Sequence, residues 1–157
     1  MLKTKEAFTM VELIFVIVIL GTLAMIAMSK LTGTRDDARV TKLAQVIQTI
    51  QSELSAGILS SAKIPQNKKD MEVISNTISE VSSDFSIAVI NGKTIQFIDT
   101  DNGTEICKVL TINDTNISRV TLDFTDGNGT SSICIGVQNL IPNTNSGLII
   151  AGNAVVY

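Results

Sequence analysis

From Phe8 to Met28 the 157-residue chain is apolar apart from Thr9, Glu12, Gly21 and Thr22, and between Glu12 and Lys30 it carries no charge. That run has about the ~20 residues a helix needs to cross a ~30 Å hydrocarbon core. Its many Ile and Val residues would favour a strand in water, but a single segment in lipid satisfies its backbone groups only as a helix. We therefore read it as a membrane-spanning helix. Lys3 and Lys5 on the short side place the N-terminus in the cytoplasm and everything beyond Ser29 on the far side.

Composition removes several function classes. The chain has no His, which takes away the commonest general base, the commonest zinc ligand and every Ser/His/Asp or Cys/His arrangement. Two Cys alone cannot make a tetrahedral zinc site. A formal charge of -3, no Trp and one Tyr argue against a phosphate-tracking or base-stacking surface. An enzymatic head would be limited to Asp, Glu or Lys chemistry, and no paired constellation suggests one. We expect a non-enzymatic protein without a resident cofactor.

Past Gly33 the pattern turns amphipathic. Val40, Leu43, Ile47, Ile50, Leu54 and Ile58 recur at spacings of three and four, with Arg35, Asp36, Arg39, Lys42, Gln48 and Glu53 off the stripe. One helix from about Val11 to about Ala62 accounts for both patterns, its first half suited to lipid and its second to a folded head. Pro65 ends it, Gln66 to Asp70 reads as a connector, and Met71, Ile74, Ile78 and Val81 predict a short second helix over Lys69 to Val81.

From Ser86 the pattern is that of strands, predicted at 86–90, 94–98, 105–112, 117–124 and 131–137. Asn91-Gly92, Asp101-Asn102-Gly103, Asn113 to Asn116 and Asp126 to Gly129 separate them as turns. The apolar Leu148 to Tyr157 is expected as a last strand. The fold class is thus α+β, a long N-terminal helix packed on an antiparallel meander. The domains are a leader at 1–7, a spanning helix at 8–29 and a head at 30–157, whose helix runs to about 62, connector and short helix over 63–85 and sheet over 86–157.

The junction of leader and span carries the most specific signal. Lys5-Glu6-Ala7-Phe8-Thr9-Met10-Val11-Glu12-Leu13-Ile14 resembles the N-terminal signal of type IV pilins and type II secretion pseudopilins: a short basic leader, a small residue, Phe, Thr, two apolar residues, Glu and then the span. Ala7 stands where the family prefers Gly, and Ala27-Met28-Ser29 stands where many pilins carry a helix-kinking Pro. Arg35-Asp36-Asp37-Ala38-Arg39-Val40-Thr41-Lys42 is similar to the same stretch of the major pseudopilin.

The resemblance implies a pilin-like fold and a set of site residues. Prepilin peptidase would cut between Ala7 and Phe8 and N-methylate Phe8, and Glu12 would neutralise the Phe8 amine of a neighbouring subunit during assembly. A charge inside the bilayer costs ~2.5–3.5 kcal/mol at its centre and less near the interface, so a lone Glu there calls for a compensating partner. The implied partners are other pilin or pseudopilin subunits, prepilin peptidase, an inner-membrane assembly platform with its ATPase, and lipid before assembly; direct nucleic-acid binding is not expected. The implied location is the bacterial inner membrane, single-pass with a periplasmic head, and then a periplasmic or cell-surface filament.

Competing readings start from the same residues. An ordinary secretory signal peptide could be cut near Ala27-Met28-Ser29, although Glu12 would then sit in its apolar core. A single-pass anchored binding protein that never polymerises is the alternative from another class.

Three features of the head remain. Asp99, Asp101 and Glu105 form a weak calcium candidate that fails the EF-hand pattern, because Gly103 is fifth and Leu110 twelfth in the loop. Cys107 and Cys134 lie where a disulfide persists, but in a simple meander both flank the 117–124 strand, ~10 Å apart at ~4.8 Å per strand, beyond the ~7 Å a disulfide spans. Both the disulfide and a free buried pair stay open. Asn116-Ile117-Ser118 and Asn128-Gly129-Thr130 match glycosylation sequons and read more simply as turns.

Overall fold

A computed structural model describes residues 9–61, 63–79, 85–100, 104–116, 119–144 and 147–151. The chain divides into two compact units, Met1–Asp36 and Asp37–Tyr157. In the first, the described residues from Met10 onward belong to helix α1, which runs over Met10–Ser61. This is the helix expected from the sequence, with Gly21 and Gly33 inside it.

In the second unit, residues 37–61 of α1 bury the predicted stripe: Val40, Leu43, Ile47, Ile50, Leu54 and Ile58, joined by Ala44, belong to one apolar core with the sheet. Among the described residues the sheet has five antiparallel strands in sequence order: β1 Phe85–Ile90, β2 Thr94–Asp99, β3 Glu105–Asn116, β4 Arg119–Asp126 and β5 Leu148–Ala151. Ile95, Phe97, Leu110, Ile112, Leu122 and Phe124 alternate toward the core, while Gln96, Thr111, Thr121 and Asp123 on the other face keep partial exposure. That alternation is what a sheet covered on one side requires.

Glu53 fastens the connector to α1. Its carboxylate accepts from Ser75 Oγ at 2.5 Å, Thr77 Oγ1 at 3.0 Å and Thr77 N at 3.4 Å. These bonds explain why the predicted helix over Lys69 to Val81 is shorter. Helix α2 covers Lys68–Ile74, Ser75 caps it in an extended conformation, and a 3-10 turn follows at Asn76–Ser79; Val81 lies outside the described residues. Asn67 caps the start of α2, Oδ1 accepting from Asp70 N, and Asp70 Oδ2 accepts from Gln66 N, one residue before the cap.

Two further expectations are corrected. Asn113 to Asn116 is not a turn but the end of β3, because Asn113 pairs with Thr121 and Asn116 with Arg119. The Asn113 amide donates to the Asp123 carboxylate, and Lys93 Nζ meets Asp114 Oδ2 at 2.5 Å, which gives the extended polar segment its partners.

The segment 131–137 is not a strand. It forms helix α3, Ser132–Leu140, and Ser131 is its N-cap, the hydroxyl accepting from Cys134 N at 3.2 Å. Ile133, Cys134, Val137 and Ile141 are buried at spacings of one, three and four, a helical stripe. The expected last strand is present as Leu148–Ala151, and 152–157 lie outside the described residues.

Candidate functional site

The N-terminal part of α1 is chemically distinct from the head. Its described large apolar side chains from Met10 to Leu31 are all exposed, from 41% at Ile19 to 80% at Met10 and Met25. Among the described residues this is one helix long and apolar enough to cross a membrane. An apolar surface continuous around a helix needs lipid or other helices against it.

Glu12 opens this segment, and it has a local role that pattern reading missed. Thr9 N and Thr9 Oγ1 each donate to Glu12 Oε2 at 2.8 Å, and Glu12 N donates back to Thr9 Oγ1 at 3.3 Å. Thr9 is the residue before the helix and Glu12 its third residue, so the pair forms a capping box. The signal, Thr followed three residues later by Glu just before an apolar run, was present in the sequence. The carboxylate also lies at the positive end of the helix dipole. Ala7 and Phe8, the implied cleavage and methylation residues, lie outside the described residues.

In the head, two of the three calcium candidates are placed. Glu105 Oε2 accepts from Thr130 N and Ser131 N, each at 2.9 Å, and Asp99 Oδ2 accepts from Ser131 Oγ at 3.0 Å. Both carboxylates thus bind the entry to α3, and Asp101 lies outside the described residues. Among the described residues no three His, Cys, Asp or Glu side chains gather as a metal set.

Cys107 and Cys134 are joined in a disulfide, with Cα atoms 4.4 Å apart. The geometric objection from the meander falls with the strand at 131–137: Cys134 sits on α3, which folds back onto β3. The 126–131 segment makes this return across β3, with Gly127 N donating to Cys107 O and Gly129 N to Ile106 O. Gly129 is required there, because a Cβ would collide with the Cys134 side chain. Asn128 and Thr130 of the second sequon are exposed, and Asn116 and Ile117-Ser118 of the first carry no described side chains.

The other residue missed from sequence is Lys108. It is fully buried, on the core-facing side of β3 with Leu110 and Ile112. Its Nζ donates to Asp126 Oδ1 at 2.6 Å, Ile141 O at 2.5 Å and Asn143 Oδ1 at 2.9 Å, using all three ammonium protons. The Lys108 hydrogen bond holds the Asp126 carboxyl below the usual carboxylate range, against partial desolvation and with help from Asn143. A Lys between apolar strand residues gives no sequence sign of this, since its acceptors come from 18 to 35 residues away.

A cleft of about 570 Å³ is lined by Ile64, Pro65, Val73 and Ile74, with Lys63 and Asp70 at its polar edge. Asp70 is already engaged in the α2 cap, and the cleft gathers no catalytic set.

Compared with protein-family models, curated proteins and solved structures, the chain matches none.

Proposed function

We propose that this chain is a structural subunit of a type IV pilus or type II secretion-like filament, cut and N-methylated by prepilin peptidase at Ala7/Phe8 and polymerised through its N-terminal helix. The observation that carries the reading is a single carboxylate, Glu12, at the start of an apolar segment that is otherwise uncharged up to Lys30 and whose described large apolar side chains are all exposed. Before assembly lipid surrounds that helix; in the filament other copies replace the lipid. The head is periplasmic, serves no catalytic step, and faces other subunits and the assembly platform with its ATPase.

The capping box gives Glu12 two roles that can be separated. Oε2 is taken by Thr9, and the carboxylate as a whole keeps its charge for the Phe8 amine of a neighbour. Gln completes a capping box as Glu does but carries no charge. Glu12→Gln is therefore expected to remain in the membrane and to fail to enter filaments, as Glu12→Val also fails. Normal incorporation of Glu12→Gln in a shearing assay would reduce Glu12 to a cap and remove the charge-pairing mechanism. A chain retaining Met1 and never co-purifying with a filament would instead favour a membrane-anchored binding protein.

A further inference from the structure

Lys108, Asp126 and Asn143 form a closed triangle of contacts. Lys108 Nζ lies 2.6 Å from Asp126 Oδ1 and 2.9 Å from Asn143 Oδ1, and Asn143 Nδ2 lies 2.6 Å from Asp126 Oδ2. Only this orientation of the Asn143 amide satisfies both neighbours, since the ammonium donates and the carboxylate accepts. One carboxylate thus touches both an amine and the nitrogen of the amide next to that amine. A buried ion pair needs only the first contact.

We propose that this triangle is a self-modification site, at which the Lys108 amine displaces ammonia from the Asn143 side-chain amide to form an intrachain Lys–Asn amide bond. Lys108 has no exposure, and its Nζ is enclosed by Asp126, Ile141 and Asn143. A proton passes from Nζ to Asp126 Oδ1, and the neutral amine attacks Asn143 Cγ, which is bonded to the oxygen it already contacts. The Nζ–Cγ bond forms, the Cγ–Nδ2 bond breaks as the Asp126 carboxyl returns that proton to Nδ2, and the carboxylate then takes the second Nζ proton and passes it to solvent, leaving a neutral amide. Ammonia leaves toward solvent past Asp126, whose side chain is 41% exposed. One C–N bond replaces another, with no change of oxidation state and no co-reactant. Fixing amine, amide and proton carrier in contact raises their effective concentration, and a turn of the Asn143 side chain then brings Cγ rather than Oδ1 against the amine. The Ile141 carbonyl, 2.5 Å from Nζ, holds the amine at this point.

The bond would clamp α3 from its far side. Cys107, next to Lys108 on β3, already ties to Cys134 near the start of α3, and Asn143 lies just past its end.

The test is the intact mass of the full-length chain purified from membranes, with the disulfide reduced and N-terminal processing accounted for. The wild-type chain is expected to fall short of its sequence mass by one ammonia, with a proteolytic peptide linking Lys108 to Asn143. Asn143→Asp should lose water instead, reach the same product and weigh the same as wild type. Asp126→Ala should show no deficit, and so should Asn143→Ala, which changes an exposed residue and covers the case in which Asp126→Ala does not fold. A wild-type chain at full mass overturns the proposal. So does an ammonia deficit that maps to Asn91-Gly92, Asn102-Gly103 or Asn128-Gly129, where a backbone succinimide loses the same mass.

Discussion

Asp114 shows what one ion pair on the half-exposed sheet face contributes. Lys93 Nζ sits 2.5 Å from its carboxylate, with side chains 33% and 31% exposed. The hydrogen bond from Lys93 lowers its pKa, desolvation opposes that shift, and the Lys93 charge adds to it. A carboxyl depressed on folding stabilises the fold above its unfolded pKa, near ~3.9, and loses that contribution as pH falls through the folded value. Asp114→Asn should therefore melt below wild type at neutral pH, by an amount under ~1 kcal/mol for so exposed a pair. The gap should narrow as pH falls below the unfolded pKa and close once it has passed the lower folded value, where the wild-type carboxyl is protonated and as uncharged as the Asn amide. Melting curves across pH check this, and a gap independent of pH would contradict it. At this scale the sequence is least legible. Nothing in the sequence marks Lys93, Lys108 or Glu53, because their partners lie 18 to 35 residues away, whereas the Thr9–Glu12 cap spans three residues and was open to reading.

Helix α1 carries two kinds of apolar surface within one hydrogen-bonded element. Ile50 and Leu54 are completely buried, while Leu20 is 59% exposed. Ile50→Ala or Leu54→Ala should lower head stability by about 2–5 kcal/mol, the range for truncating a packed aliphatic side chain. Leu20→Ala should leave the head's unfolding midpoint unchanged, measured by denaturant titration of the detergent-solubilised chain. An equal loss at both kinds of position would show that the halves do not serve different surroundings. The α1 stripe was legible because six apolar residues repeat over five turns. Helix α3 was not: in nine residues Ile133, Ile135 and Val137 alternate as a strand does, while Ile133, Cys134 and Val137 repeat as a helix does. The Ser131 cap, local to three residues, and the Cys107–Cys134 bond select the helix, and the bond depends on β3 lying beside it. The error over 131–137 was also the source of the false distance between the cysteines.

At the scale of the whole chain, the uncharged run from Leu13 to Ser29 sets what the rest is for. The head closes its own core and ties its loops with a disulfide and buried polar contacts, and the described large apolar side chains from Met10 to Leu31 are exposed. A resident of the bilayer needs only that the surface be apolar. A subunit that leaves the bilayer for a filament also needs a charge to set register, and Glu12 supplies it in the proposed pairing with Phe8. That pairing exists only if the leader is removed, since the Phe8 amine is otherwise a peptide nitrogen. The most direct measurement is the N-terminal mass of the chain recovered from cells carrying a prepilin peptidase. A chain that begins at Phe8 with one added methyl group is expected; a chain that begins at Met1, or at Lys30 after conventional signal cleavage, would contradict the proposed pairing.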